Sequence, residues 1–278
     1  PAGTTYRPVG GYSGTLIDLT YLGTIAVLMG YSRDTEAQAD AYGLIYENKA
    51  GYFTGSGAAL WTRMIEETQA SDYEKVRRLP TRTNVFGSHP LESERITLLN
   101  ALDRQLHGGA LATRDAAEAK AARAAYRAHV RPYLGRWLKD DLRRQDYGQT
   151  LYLIDHLSAD GEDAGLLNFY RGEALRLRGR TEDLPQALAA YKAALKSPDA
   201  PVETWRQLGD VYRHAGQTAE AQDAYRAYLA AAPTASDAWM IQDEIDTIAK
   251  TTPAETPASA SGATPAPEAA PSNGGATT

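Results

Sequence analysis

The hydrophobic positions in the first hundred residues recur at helical spacing and predict four helices, over about 15–30, 33–49, 56–69 and 90–106. Ser32 is suited to cap the second helix, because its hydroxyl can accept a hydrogen bond from a free backbone N–H of the first turn. The acidic residues that follow in that turn also favour a helix start there. Gly51 is placed to end that helix. Pro90 is placed to begin the fourth helix, where its missing N–H costs nothing.

The pattern stays helical after this region and then becomes repetitive. Residues 113–143 are interpreted as two helices, because Pro132 and Gly135 interrupt an otherwise helical run. Residues 202–235 follow the 34-residue tetratricopeptide pattern, a pair of helices with fixed apolar positions. The matching positions are Trp205, Leu208, Gly209, Tyr212, Ala221, Tyr225 and Pro233.

Earlier segments extend this repetition and set the expected fold class. A second repeat is predicted over about 165–199, with a short insertion near 181–185. A degenerate third pair near 137–157 is explained equally well by generic amphipathic helices. Each pair leaves an apolar face that only a stacked neighbour covers. The predicted fold class is all-α, with the four tryptophans, Trp61, Trp137, Trp205 and Trp239, expected to anchor the core.

Composition excludes some classes of partner and site. With 43% hydrophobic and 23% charged residues, the chain has the balance of a soluble globular protein. Its net charge of -6 argues against a nucleic-acid partner. The absence of cysteine means that a zinc site would use His, Asp or Glu. The apolar run Leu16–Met29 is too short for a transmembrane segment and carries Asp18, so a core helix is expected.

Two carboxylates in the second predicted helix are the first candidates for chemistry. Glu36 and Asp40 lie four residues apart and therefore share one helix face. Taken alone, such a pair is typical of a solvated surface.

The surrounding motifs change this interpretation. Ser32-Arg-Asp-Thr-Glu36-Ala-Gln-Ala-Asp40 and the later Ser88-His89-Pro90 with Arg95-Ile96 are similar to two motifs of one zinc metallopeptidase family, in the same order. That family includes HtpX and the CAAX prenyl endopeptidase. The resemblance spans about residues 15–105, and the repeats behind it resemble the periplasmic branch of the family, such as the β-barrel assembly-enhancing protease.

The resemblance implies a role for each of four residues. Glu36 matches the third ligand of one Zn²⁺ ion, and Asp40 matches the acid that orients a ligand histidine. His89 matches a histidine near the metal, which either stabilises the oxyanion or caps the zinc at rest. Arg95 is placed to hold Glu36 or a substrate carbonyl through a charge-assisted hydrogen bond.

The chain departs from the family in one respect. The His-Glu-x-x-His helix, which supplies two zinc ligands and the general base, does not occur in the sequence. In the family it precedes the Glu36 motif, so its place is upstream of Pro1, and this chain alone is expected to be inactive. The sequence begins at Pro1 and not at Met, which is expected either if a signal peptide has been removed or if the sequence is a piece of a longer chain.

Two functions follow from these motifs. The first is a zinc-dependent metalloendopeptidase that acts on protein or peptide substrates. Its expected role is outer-membrane protein quality control, in the periplasm or another exported location, with a cytoplasmic location as the alternative. The second is a non-catalytic repeat scaffold with a degenerate peptidase domain. In both, the repeat groove binds protein partners.

The expected domains follow the same division. Residues 1–108 would form the C-terminal part of the metallopeptidase domain and residues 109–248 the helical repeat domain. Residues 249–278, rich in Ala, Pro, Thr, Ser and Gly, are expected to form a disordered tail.

Overall fold

The structure, a computed structural model, describes residues 13–78 and 89–251, with the backbone alone for residues 13–23 and Thr251. All regular secondary structure in these ranges is helical, which confirms the predicted all-α class. The eleven described helices are α1 Ser13–Lys49, α2 Gly55–Ala70, α3 Glu74–Arg77, α4 Glu92–Leu106, α5 Ala116–Arg143, α6 Tyr147–Ser158, α7 Ala164–Arg178, α8 Asp183–Ala194, α9 Glu203–His214, α10 Thr218–Ala231 and α11 Ala238–Thr251.

Helix α1 is one continuous helix of 37 residues, so the predicted division into two helices near Ser32 is wrong. A glycine inside a helix costs only about 1 kcal/mol, and Gly30 is the sole residue at the expected break that disfavours helix. The predicted end at Gly51 is correct. Gly51 adopts φ 76°, and the N–H of Tyr52 donates to the carbonyl of Glu47 at 2.9 Å, as in a Schellman cap.

Helix α5 is also continuous, so the predicted break at Pro132 and Gly135 is wrong. A proline removes one intrahelical hydrogen bond, but it leaves the turns on either side able to continue. After the proline, Leu134, Leu138 and Leu142 are all buried in the main core. Burial of these three side chains supports the helix through the proline.

Helices α1, α2 and α4 form a small three-helix unit. Leu44, Ala58 and Leu99 are its buried centre, with Trp61 and Ile96 packed against it. The expectation that Leu16–Met29 is a core helix is wrong at its described end, where Val27 and Leu28 are 72% and 57% exposed. None of residues 24–30 is fully buried, although Ile25 and Met29 are half-buried.

The later helices stack as antiparallel pairs, α7 with α8 and α9 with α10. Each pair closes over a glycine that faces a buried tyrosine. A Cβ on Gly172 would lie 2.5 Å from the Tyr191 ring, and a Cβ on Gly209 would lie 2.5 Å from the Tyr225 ring. The same small-against-large contact therefore recurs in both predicted repeats.

Helix α11 covers the last pair through Ile241, Ile245 and Ile248. It extends to Thr251, into the first residues of the predicted tail, while residues 252–278 lie outside the described part of the chain. Two predicted core tryptophans are at the surface instead: Trp137 is 51% exposed and Trp239 is 71% exposed. The large apolar area of a tryptophan side chain therefore did not by itself predict burial.

A polar joint connects the end of α2 to the start of α6. We use "polar joint" for Ser71, Asp72, Asp146, Gly148 and Arg180. The Asp72 N–H donates to Asp146 at 2.9 Å, the Gly148 N–H donates to Asp72 at 2.8 Å, and Arg180 pairs with Asp72 at 2.6 Å. Ser71 also donates its hydroxyl to Asp146. The three-helix unit is thus attached to the repeat stack by one buried, two half-buried and one exposed hydrogen bond.

None of the helices in the described ranges combines the length and apolar character that crossing a bilayer requires.

Candidate functional site

The candidate site lies where the middle of α1 meets the start of α4. Glu36 and Asp40 are one turn apart on α1, and Arg95 is in the first turns of α4. His89 lies just before α4 and is followed by Pro90. The structure therefore brings together all four residues that the motifs predicted, although 53 positions separate Glu36 from His89.

Arg95 is the centre of the arrangement. Its Nε and Nη2 atoms donate to the two carboxylate oxygens of Asp40, each at 2.6 Å. Its Nη1 atom lies 3.1 Å from Oε2 of Glu36. The hydrogen bonds that Arg95 donates to Asp40 raise the pKa of the guanidinium, against the opposing effect of burial. One partly buried cation thus holds two carboxylates that would otherwise repel each other on one helix face.

His89 occupies the other oxygen of Glu36. Its Nδ1 atom lies 2.9 Å from Oε1, and the side chain is 68% exposed. Glu36 is therefore engaged on both oxygens, by an imidazole on the solvent side and by Arg95 on the protein side. The surface beside this contact is a shallow groove between α1 and α4, lined in part by Arg33, Pro90 and Leu98.

The predicted roles of the four residues stay predictions. Arg95 contacts Glu36, which is one of the two alternatives given for it. Asp40 contacts Arg95, and its support of a ligand histidine stays a prediction. The roles of Glu36 as a zinc ligand and of His89 near the metal likewise stay predictions.

Trp61 on α2 is part of the site and was not predicted as such. The guanidinium carbon of Arg95 lies 3.8 Å from the centre of the Trp61 ring. The sequence indicated only an aromatic residue on an apolar helix face. No motif joins residue 61 to the Glu36 or His89 segments, because the contact arises from the crossing of α2 over α4.

The donor set can be compared with what zinc requires. A catalytic zinc ion is normally held by three protein ligands. Within residues 13–78 and 89–251, no three His, Asp or Glu side chains converge as a metal site. Glu36 offers one carboxylate and His89 one nearby imidazole, which is fewer than the three ligands that a catalytic zinc ion normally has.

The other histidines serve their own helices. His129 and His214 bond to backbone carbonyls one turn earlier, at 2.7 Å each, and His107 does the same at 2.9 Å. His156 is an exposed residue of α6, and its partial desolvation, together with the nearby charge of Arg63, lowers its pKa. His107 directly follows α4, the helix that carries Arg95, whereas His129, His156 and His214 lie on α5, α6 and α9.

Two segments of the chain match models of known protein families. Residues 8–103 match the model of peptidase family M48. Residues 202–242 match a tetratricopeptide repeat, a class of segment that mediates protein interaction. No curated protein and no solved structure gave a match. The chain therefore carries a peptidase family M48 segment followed by a tetratricopeptide repeat, and the predicted resemblance is confirmed.

Proposed function

We propose that this chain belongs to a zinc-dependent metalloendopeptidase and contributes its Glu36 ligand and the residues around it. The observation that carries the proposal is the convergence on Glu36 of His89, at 2.9 Å, and Arg95, at 3.1 Å, from a separate sequence segment. The family match of residues 8–103 supports it independently.

Each residue has a definite task in this proposal. Glu36 presents a carboxylate whose orientation is fixed by Arg95, because a partly buried charge pair leaves few alternative rotamers. Asp40 balances the charge of Arg95, so that Glu36 keeps its negative charge for a cation. His89 stands at the solvent side, where it can donate to a substrate oxygen once it leaves Glu36.

Zinc would supply the activated water of hydrolysis when bound with further ligands. Those ligands would come from a His-Glu-x-x-His segment, which the printed sequence does not include. The α1–α4 groove beside Pro90 and Leu98 is where a peptide substrate would lie. The repeats would bind substrate proteins or assembly partners on their stacked helices.

The experiment uses the full gene product, including any residues encoded upstream of Pro1. Zinc content is measured by mass spectrometry and proteolysis with casein, in the unchanged protein and in Glu36→Gln. We expect Glu36→Gln to lose most bound zinc and to abolish casein cleavage. Glu118→Gln, on the exposed surface of α5, is the matched control and should change neither.

The rival function is a non-catalytic repeat scaffold with a degenerate peptidase domain. It predicts a full gene product that binds no zinc and cleaves no casein while its helical content is intact. Intact zinc content and proteolysis in Glu36→Gln would instead contradict the assignment of Glu36.

We further propose that the protein acts after export, in envelope or outer-membrane protein quality control. This rests on the combination of an M48 segment with a tetratricopeptide repeat, as in the periplasmic branch that the chain resembles. Fractionation of cells expressing the tagged full gene product would test it. Recovery in the cytosolic fraction alone would contradict export.

A further inference from the structure

Trp61 covers one face of the Arg95 guanidinium. The cation lies 3.8 Å from the ring centre, which is within the distance at which an aromatic ring attracts a guanidinium. The ring itself packs against the cluster of Leu44, Ala58 and Leu99. It is thus a fixed surface and not a mobile side chain.

The remaining contacts of Arg95 lie at the edge of the guanidinium plane. Two of its nitrogen atoms bond Asp40 and a third faces Glu36. Hydrogen bonds at the edge set the position of the fork within its plane, but they resist tilting of the plane only weakly. A ring against the flat face resists that tilt, because stacking is lost when the plane rotates.

Three helices therefore meet at one side chain: α1 through the two carboxylates, α2 through Trp61 and α4 through Arg95 itself. The Arg95 side chain is 14% exposed, while Glu36 is 31% exposed. Without the ring, Arg95 would gain room to tilt away from Glu36, the more exposed of its two acidic partners. Asp40 would keep it through the two-bond contact.

We propose that Trp61 is a positioning residue, which acts through Arg95 to hold the Glu36 carboxylate in its working orientation. The link to catalysis rests on the function proposed above, whereas the effect of Trp61 on Arg95 does not. The two parts can be tested separately.

The first test follows Arg95 in the 278-residue chain by NMR with ¹⁵N-labelled arginine. The Nε–H signal of Arg95 is assigned by its loss in Arg95→Lys. We expect it to be shifted by the ring current of Trp61 and protected from exchange with water. In Trp61→Leu the ring shift should vanish while the Nε–H stays bonded to Asp40. The protons on Nη1, which faces Glu36, should exchange about tenfold faster, the scale of one partly buried cation–π contact.

Two further variants separate positioning from simple packing. Trp61→Phe keeps a ring and should retain most of the exchange protection, to within about threefold. Trp239→Leu removes a tryptophan that is 71% exposed on α11 and should leave the Arg95 signal unchanged. Unchanged exchange in Trp61→Leu, or equal acceleration in Trp61→Phe and Trp61→Leu, would overturn the role of the ring.

The second test measures peptide hydrolysis by the full gene product. Trp61→Leu should lower kcat about tenfold with little change in KM, and Trp61→Phe should restore most of the loss. An unchanged kcat in Trp61→Leu would overturn the link to catalysis. Absence of hydrolysis in the unchanged protein would contradict the proposed function instead, and the NMR result would still decide whether Trp61 positions Arg95.

Discussion

At the scale of single residues, Arg95 is the point on which the candidate site depends. It is partly buried, it bonds both oxygens of Asp40, and it contacts Glu36 and the face of Trp61. A lysine would keep the positive charge but would lose the planar fork that serves several partners together. The geometry of the guanidinium, more than its charge, is therefore what the site uses.

Replacement of Arg95 by lysine tests this directly. Since one charge remains near two carboxylates but the fork is lost, we expect Arg95→Lys to lower the free energy of unfolding by about 1–3 kcal/mol. The measurement is urea denaturation followed by circular dichroism. Arg226→Lys, which changes a 57% exposed arginine on α10, should stay within about 0.5 kcal/mol of the unchanged protein. Equal effects of the two substitutions would contradict a special role for Arg95.

The site residues differ in how far the sequence reveals them. Glu36, Asp40, His89 and Arg95 lie in two recognisable motifs, so their identity could be predicted without a structure. Their partners could be predicted only in part: the resemblance implied that Arg95 holds Glu36 or a substrate carbonyl, but not that Asp40 takes two of its nitrogen atoms. Trp61 could not be found, because only the tertiary crossing of α2 and α4 places it on Arg95.

A second single-residue prediction concerns Asp183, at the start of α8. Its side chain is 1% exposed and pairs with Arg178, and this hydrogen bond lowers the pKa of the Asp183 carboxyl. A lowered folded-state pKa gives stability that is present above the unfolded value, near 4, and is lost as the pH falls through the folded value. Removing one partner of a buried pair costs about 3–5 kcal/mol.

We therefore expect Asp183→Asn to destabilise the protein by up to that amount at pH 7 and by progressively less below about pH 4. Urea denaturation across this pH range measures the difference. Asp223→Asn, at an 80% exposed position in an i,i+3 pair, is the control and should show little effect at any pH. A constant difference between Asp183→Asn and the unchanged protein across the range would refute the assigned pKa direction.

At the scale of helices, the sequence predicted which segments are helical better than where each helix stops. Gly30 and Pro132 disfavour helix locally, but neither ends the helix that contains it. Each lies inside a long helix whose flanking turns are good helix formers. The end at Gly51 was predictable, because glycine readily adopts the left-handed conformation that ends a helix. Gly51 does so, with φ 76°.

Glycines inside helices also show how local preference and packing differ. Gly43 has open space where a Cβ would be, so Gly43→Ala should stabilise α1 by roughly 0.5–1 kcal/mol through helix propensity. Gly209 faces the ring of Tyr225, so Gly209→Ala should instead destabilise the repeat by about 1–3 kcal/mol. Thermal denaturation of the two variants measures both effects. The same sign for both changes would contradict the role of the glycine–tyrosine contact.

At the scale of the whole molecule, the polar joint decides how the three-helix unit and the repeat stack behave together. Asp146 caps α6 and also accepts the N–H of Asp72, while Asp72 accepts the N–H of Gly148 and pairs with Arg180. Each unit thus completes hydrogen bonds that the other leaves open. Loss of the joint would expose these groups in both units at once.

This reciprocity predicts that the protein unfolds as one cooperative unit and that the joint is the reason. A Cβ on Gly148 would lie 2.1 Å from the carbonyl oxygen of Ala70, so Gly148→Val cannot keep the close approach of α6 to the end of α2. We expect calorimetry to show one transition for the unchanged protein and two for Gly148→Val, with the three-helix unit melting first because its buried core is the smaller.

Asp72→Ala should divide the transition in the same way, since it removes the acceptor shared by Gly148 and Arg180 without adding bulk. Asp223→Ala, at an exposed position of α10, should leave a single transition. A single transition at a lower temperature in both joint variants would mean that apolar contact between α2 and α6 is enough to couple the two units. In that case the hydrogen bonds of the joint would contribute stability alone, and the coupling would reside in the packing of the helices.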